Sequence, residues 1–224
     1  MPIQGLSKFV LICLFGSFFA LSARGYDFWF LAWFCLAPLF LLIKNSKGLK
    51  EAVIYSFLFG FFYNILYLWW LFSLHPLNWL GFSSTQSYII SLLSLLITSL
   101  YSSIFYILFG IIAFYFYSFF SNIKGASFKL TFILSFIWLI IFNKLQFSKF
   151  ILGFPWTLVE YSQYKNLFLI QASDCFGGAL IAFLIVFFNL VIADIAGWFF
   201  NIQKISNRLF FLIHLHILQS NSVF

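Results

Sequence analysis

A carboxylate, an amine and a thiol stand close together at Glu160, Lys165 and Cys175, in a chain with only five acidic residues, three histidines and three cysteines. In that combination the chemistry would be that of an activated thiolate. It requires a base and an orienting partner within hydrogen-bond reach, and donors for the developing oxyanion. The short loop between Glu160 and Cys175 cannot hold all of these rigidly. Cys175 also stands at the mouth of an apolar helix, where burial would raise a thiol's pKa and blunt its nucleophilicity. No catalytic residue is assigned. His75, beside Pro76 and Trp79, has the form of a general base, but no nucleophile or carboxylate lies near it in sequence, and it reads as a loop histidine at a membrane interface. Cys13, Cys35 and Cys175 show neither a CxxC pair nor Cys/His ligand spacing, so no metal, cofactor or disulfide framework is expected.

The elements around the trio are the most distinctive in the chain. Gly153-Phe154-Pro155-Trp156 is an aromatic loop in which Pro155 lacks an amide donor and pushes Phe154 towards extended geometry, so no helix crosses it. Trp156, Tyr161 and Tyr164 are amphipathic rings of the kind enriched where hydrocarbon meets water. Ser162, Gln163, Lys165 and Asn166 keep the loop wet, and a membrane span is expected to begin near Asp174. Asn189 and Asp174 read as polar residues of helix packing. Asp194 is the one carboxylate inside an expected span, a functional position by default in lipid. Its place within two turns of the cytoplasmic end favours a structural role, at the interface or paired with Lys204.

With 64% hydrophobic residues, 8% charged residues and 37 phenylalanines, the chain has far more apolar surface than a soluble core could hide. The fold class is an all-α polytopic membrane protein, and residues 1–224 form a single membrane domain. The net charge of +7 is spread through short loops, not gathered on one face, which excludes a nucleic-acid surface and suits topology control. About six complete transmembrane helices are expected, over 8–22, 28–43, 52–74, 86–118, 128–142 and 175–200, with a truncated seventh at 209–218. Those last ten residues reach roughly 15 Å as a helix against the ~30 Å of a bilayer core. Pro38 is placed near the end of the second span. In the fourth, Ser87, Ser91, Ser94, Thr98 and Ser102 share one face and predict a packing seam, with a hydroxyl-lined transport path as the sharper alternative. In the sixth, Gly178, Ala182, Val186, Asn189, Ala193 and Gly197 form a small-residue seam. The loop 143–173 is expected to fold back into the interface. Lys8, Lys44, Lys47, Lys50, Lys124, Lys129, Lys204 and Arg208 on one side outnumber Arg24, Lys144, Lys149 and Lys165 on the other, which predicts a cytoplasmic N-terminus and an external GFPW loop.

The ordered series GFPW, Tyr161-Ser162-Gln163, Gln171-Ala172-Ser173-Asp174, Gly177, Phe183-Leu184-Ile185-Val186 and Asn189 resembles the membrane domain of the apolipoprotein N-acyltransferases. Glu160 departs from that pattern, standing where the family usually has glycine, and Ala182 stands where it often has serine. The resemblance implies a retained first helix in place of a cleaved signal peptide, and residence in a bacterial plasma (inner) membrane. It implies that Gly153, Phe154, Pro155, Trp156, Tyr161 and Gln163 position phospholipid and diacylated lipoprotein, with Trp156, Tyr161 and Gln163 facing the head-group layer. It further implies a nitrilase-like domain with a Glu-Lys-Cys triad, which moves an acyl chain from a phospholipid to the N-terminal cysteine amine of a lipoprotein. This chain ends at Phe224 and is expected to be a truncated membrane half, inactive alone, with that domain possibly encoded separately as a partner. A non-catalytic lipid-binding or scaffold protein and a small transporter are the alternatives.

Overall fold

The computed structural model describes residues 5–23, 25–120, 126–146, 148 and 154–200, and among these every regular element is helical. Helix α1 (Gly5–Ala20) is followed by a 3-10 turn (Trp29–Trp33), α2 (Ala37–Lys44) and α3 (Leu49–Tyr67). Two further 3-10 turns, Trp69–Leu74 and Asn78–Leu80, lead into α4 (Ser84–Phe120). Helix α5 (Ala126–Leu139) continues as π-helix over Ile140–Leu145. The GFPW loop then contributes 3-10 turns Pro155–Thr157 and Val159–Gln163, before α6 (Leu167–Phe176) and α7 (Gly178–Phe199). Four stretches are long and apolar enough to cross a membrane: α3, α4, α5 with its π-helical extension, and α7. The chain is a multi-pass membrane protein.

Three expected spans differ in form. The stretch 28–43 is not one helix, because Pro38 occupies the first turn of α2. There its missing N–H is harmless and its fixed φ suits a helix start. The span expected over 52–74 is α-helical only to Tyr67 and tightens into a 3-10 turn. The span expected from 175 begins at Gly178 instead. Gly177 has φ 70°, a left-handed conformation that ends α6 and leaves Asp174 and Cys175 on a separate short helix. The expected helix 209–218, with Lys204 and Arg208, lies outside the described residues.

Packing centres on α3, which lies between α1 and α4, while α7 packs on α2 and α5. Close approach is set by glycines. A Cβ at Gly16 would stand 2.7 Å from the Phe59 carbonyl oxygen, so α1 and α3 touch backbone to backbone there. The seam of α4 runs through Ser87, Ser91, Leu95, Ser99, Ser102 and Ser103, all buried. Ser94 and Thr98 lie beside this seam, not in it, and Thr98 Oγ1 donates to its own helix at Ser94 O over 2.6 Å. On α7 the buried face carries Ala182, Val186, Asn189, Ala193 and Gly197. The centre is aromatic: Trp138 stacks on Phe142 at 4.1 Å and meets Phe109 and Tyr106 edge-on, so α4 and α5 interlock through rings.

The break between Trp33 and Ala37 leaves helix-end amides in an apolar layer, where no water can satisfy them. Asn189 of α7 supplies what they lack. Its Oδ1 accepts from Leu36 N and Ala37 N, each at 3.0 Å, and its Nδ2 donates to Ala32 O and Ile185 O, each at 2.8 Å. At the opposite end of the bundle from the GFPW loop, Lys44 Nζ pairs with Asp194 Oδ1 at 2.6 Å. Ser127 donates to the other carboxylate oxygen, and Lys44 also lies 5.7 Å from the Tyr117 ring centroid. Asp194 is thus paired with Lys44, 150 residues away in sequence; the Lys204 of the sequence expectation lies outside the described residues.

Candidate functional site

The GFPW loop is built down onto the bundle from its first described residue, Phe154; Gly153 lies outside the described residues. Phe154 packs against the buried group Leu68, Leu71 and Leu95, and its ring lies 4.4 Å from that of Trp156. Pro155 starts a 3-10 turn that presents Trp156, 46% exposed, against Trp70 at 5.0 Å between centroids. Below them Tyr63 Oη donates to Thr157 O at 2.9 Å, fastening the loop to α3. The second 3-10 turn exposes Tyr161 and buries its neighbours Ser162 and Gln163.

Gln163 does not face the head-group layer. It is fully buried, and its amide joins its own 3-10 turn to the turn Trp29–Trp33. Its Oε1 accepts from Trp33 Nε1 at 3.1 Å, and its Nε2 donates to Trp29 O at 3.0 Å and Ser162 Oγ at 2.8 Å. The amide can donate and accept at once, which is what the Trp29 carbonyl and the Trp33 indole of that one turn require. Asp174 is likewise placed differently from the expectation of helix packing: it is exposed near the end of α6. That helix is one the loop reading misses. Asn166 caps it, its side chain accepting from Leu169 N, and the signal is an asparagine just before an apolar run. Leu167, Phe168 and Phe176 on α6 are each more than 70% exposed, which puts an apolar surface beside the loop.

Glu160, Lys165 and Cys175 have separate surroundings. Glu160 is bonded by Asn143 Nδ2 at 2.5 Å, and burial pushes its carboxyl above the usual range. Lys165 pairs with Asp27 at 2.5 Å, and Tyr164 donates to the same carboxylate. The Lys165 bond holds the Asp27 carboxyl below its usual range and raises the ammonium in turn. Both groups are well exposed, so solvent screens the pair. Cys175 is exposed on α6 and not buried at a helix mouth. His75, for which sequence offers no partner, has one in space: its Nδ1 lies 2.9 Å from Ser87 Oγ, which also accepts from Leu77 N at 2.6 Å. Ser87 is fully buried, so the contact pins the loop between α3 and α4 and offers no path for attack on a substrate.

Fold and site together define a helical membrane protein with a fastened aromatic platform at one face of its bundle. The profile of the apolipoprotein N-acyltransferase N-terminal domain matches residues 15–191. The chain belongs to that family. An apolipoprotein N-acyltransferase 1 of Treponema denticola is 32% identical over 210 residues, covering 88% of this chain and 33% of that protein. Apolipoprotein N-acyltransferases of Prochlorococcus marinus subsp. pastoris and a Nostoc species are 38% identical over 106 residues and 29% over 89 residues; these matches cover 47% and 38% of the chain. The matched part spans a third or less of each relative, 33%, 20% and 18% in turn.

Proposed function

We propose that the chain is the lipid- and lipoprotein-positioning membrane part of an apolipoprotein N-acyltransferase. The reaction is transfer of an acyl chain from a phospholipid to the N-terminal cysteine amine of a diacylated lipoprotein, at the external face of a bacterial inner membrane. The observation that carries this reading is the fastened GFPW loop in a chain of this family. Its exposed rings, Trp156 and Tyr161, stand over a rigid base of Tyr63, Thr157 and Gln163. An amphipathic ring held still at an interface orients a lipid head group while the acyl chains lie along the helices. The acyl-carrying cysteine is proposed to come from a nitrilase-like partner, since Glu160, Lys165 and Cys175 are each engaged or placed elsewhere. The charge distribution supports an N-terminus in the cytoplasm.

The test is to reconstitute the chain with the nitrilase-like portion of its Prochlorococcus relative and measure acylation of a diacylated lipopeptide. Acyl transfer is expected, and Trp156→Ala is expected to lower it about tenfold, the loss of roughly 1.4 kcal/mol that one aromatic contact provides. A folded assembly without transfer would overturn the reading. Unchanged transfer in the Trp156→Ala protein would remove the platform from it.

A further inference from the structure

One side-chain pair ties the GFPW loop to α5. Asn143, in the π-helical turn after α5, donates from Nδ2 to Glu160 Oε1. The second oxygen of each partner, Asn143 Oδ1 and Glu160 Oε2, is buried and makes no hydrogen bond. With Glu160 ionised, both oxygens are acceptors, and neither carries a proton to give to the other. A buried carboxylate without a cation beside an unpaired amide oxygen is an arrangement that folded proteins avoid. Among the described residues no cation serves Glu160: Lys165 is taken by Asp27, Lys44 by Asp194, and Lys144, on the same turn as Asn143, is exposed. The other titratable groups facing it are the phenols of Tyr63 and Tyr67 on α3 and of Tyr161 beside it. From α7 the main chain of Gly178 packs against its side chain. Gln146, buried just past the π-helical segment, has neither amide atom bonded and does not supply the missing donor.

We propose that Glu160 is held as a neutral carboxylic acid whose Oε2–H donates to Asn143 Oδ1 while Asn143 Nδ2 donates to Oε1, a ring closed by one proton that latches the GFPW loop to α5. A single proton satisfies both orphaned oxygens, because it turns one acceptor into a donor. Burial raises the Glu160 carboxyl in the direction the ring requires. Glycine at this position, the residue usual in the resemblance above, could not form it. When the proton leaves, a carboxylate oxygen faces an amide oxygen, and the latch opens. The proposal concerns protonation of the loop and does not rest on the acyl-transfer reading.

Glu51 and Glu160 are the two glutamates of the chain, so carboxyl-¹³C glutamate labels two groups. Infrared spectra of the full-length protein in nanodiscs at about pH 6, above the ordinary glutamate pKa of ~4.3, are expected to show one labelled protonated acid. That band should disappear in Glu160→Gln and survive in Glu51→Gln. A native pKa above the unfolded value means that the folded state binds the extra proton. Its stabilisation is therefore full below the ordinary glutamate range and is lost as pH rises through the native pKa. The wild-type melting temperature should fall over the interval in which the band disappears. Glu160→Gln, whose amide keeps one donor and one acceptor, should lose that slope. Two ionised glutamates at about pH 6, or the wild-type slope retained in Glu160→Gln, overturns the latch. If Glu160→Gln does not fold, the wild-type spectrum with the Glu51→Gln control decides by itself.

Discussion

Replacing Asn189 by leucine strands the Leu36 amide and the Ala32 carbonyl in the middle of the bundle and leaves the Ala37 amide only its 3.2 Å bond to Phe34 O. At about 1–3 kcal/mol for each buried group left unsatisfied, with some relaxation, a loss of roughly 3 kcal/mol is expected. Thermal unfolding in nanodiscs measures it, and a change under about 0.5 kcal/mol would show that something else caps the break. Lys44→Met should cost less, roughly 1–2 kcal/mol, because Asp194 keeps its Ser127 donor and is partly solvated. Asp194→Asn in the same background should then cost less than it does alone, since the ion pair it removes is already gone. The types of these residues were legible in sequence, but their partners were not. For Asp194 the sequence offers Lys204 ten positions away, while Lys44, 150 residues away on another helix, becomes a partner only in the folded chain. Gln163 was legible as polar but not as buried, because only the folded chain brings the Trp29 carbonyl and the Trp33 indole to it.

Helix α4 was readable almost to its ends because its apolar run is long and uninterrupted: the expected 86–118 became Ser84–Phe120. The broken helices were harder. Pro38 marks a helix start as readily as an end, and only tertiary capping by Asn189 makes a break at that depth tolerable. Helix α6 went unread because ten residues of mixed polarity beside a proline loop match no span, although Asn166 and the Gly177-Gly178 pair mark its limits. Gly177→Val is expected to strain the left-handed turn between α6 and α7, lowering stability by about 1–2 kcal/mol. Gly16→Ala tests a different constraint. It should push α1 off the Phe59 carbonyl and cost about 1–3 kcal/mol, even though alanine is the better helix former. An unchanged or raised unfolding midpoint would mean that the α1–α3 contact is looser than described.

For the whole molecule, the sharpest expectation concerns sidedness. Cys175 is exposed on α6 and Cys35 is buried, so a membrane-impermeant maleimide applied to the external face should label Cys175 and spare Cys35 until the protein is denatured. Labelling of Cys175 only from the cytoplasmic face would invert the orientation. The length of α4 bears on the same question. Its 37 residues reach roughly 55 Å at helical rise, well beyond a ~30 Å hydrocarbon layer, so its ends stand clear of the lipid. The Asn189 cap, finally, has a consequence for biosynthesis. The bonds that complete the break before α2 come from a residue about 150 positions downstream, a delay of roughly 8–30 s at bacterial-to-eukaryotic rates of elongation. Until α7 is made, the N-terminal helices sit in the bilayer with the Leu36 amide and the Ala32 carbonyl open, so a ribosome stalled before codon 189 leaves a nascent chain that quality-control proteases should recognise, and one stalled well after it should not.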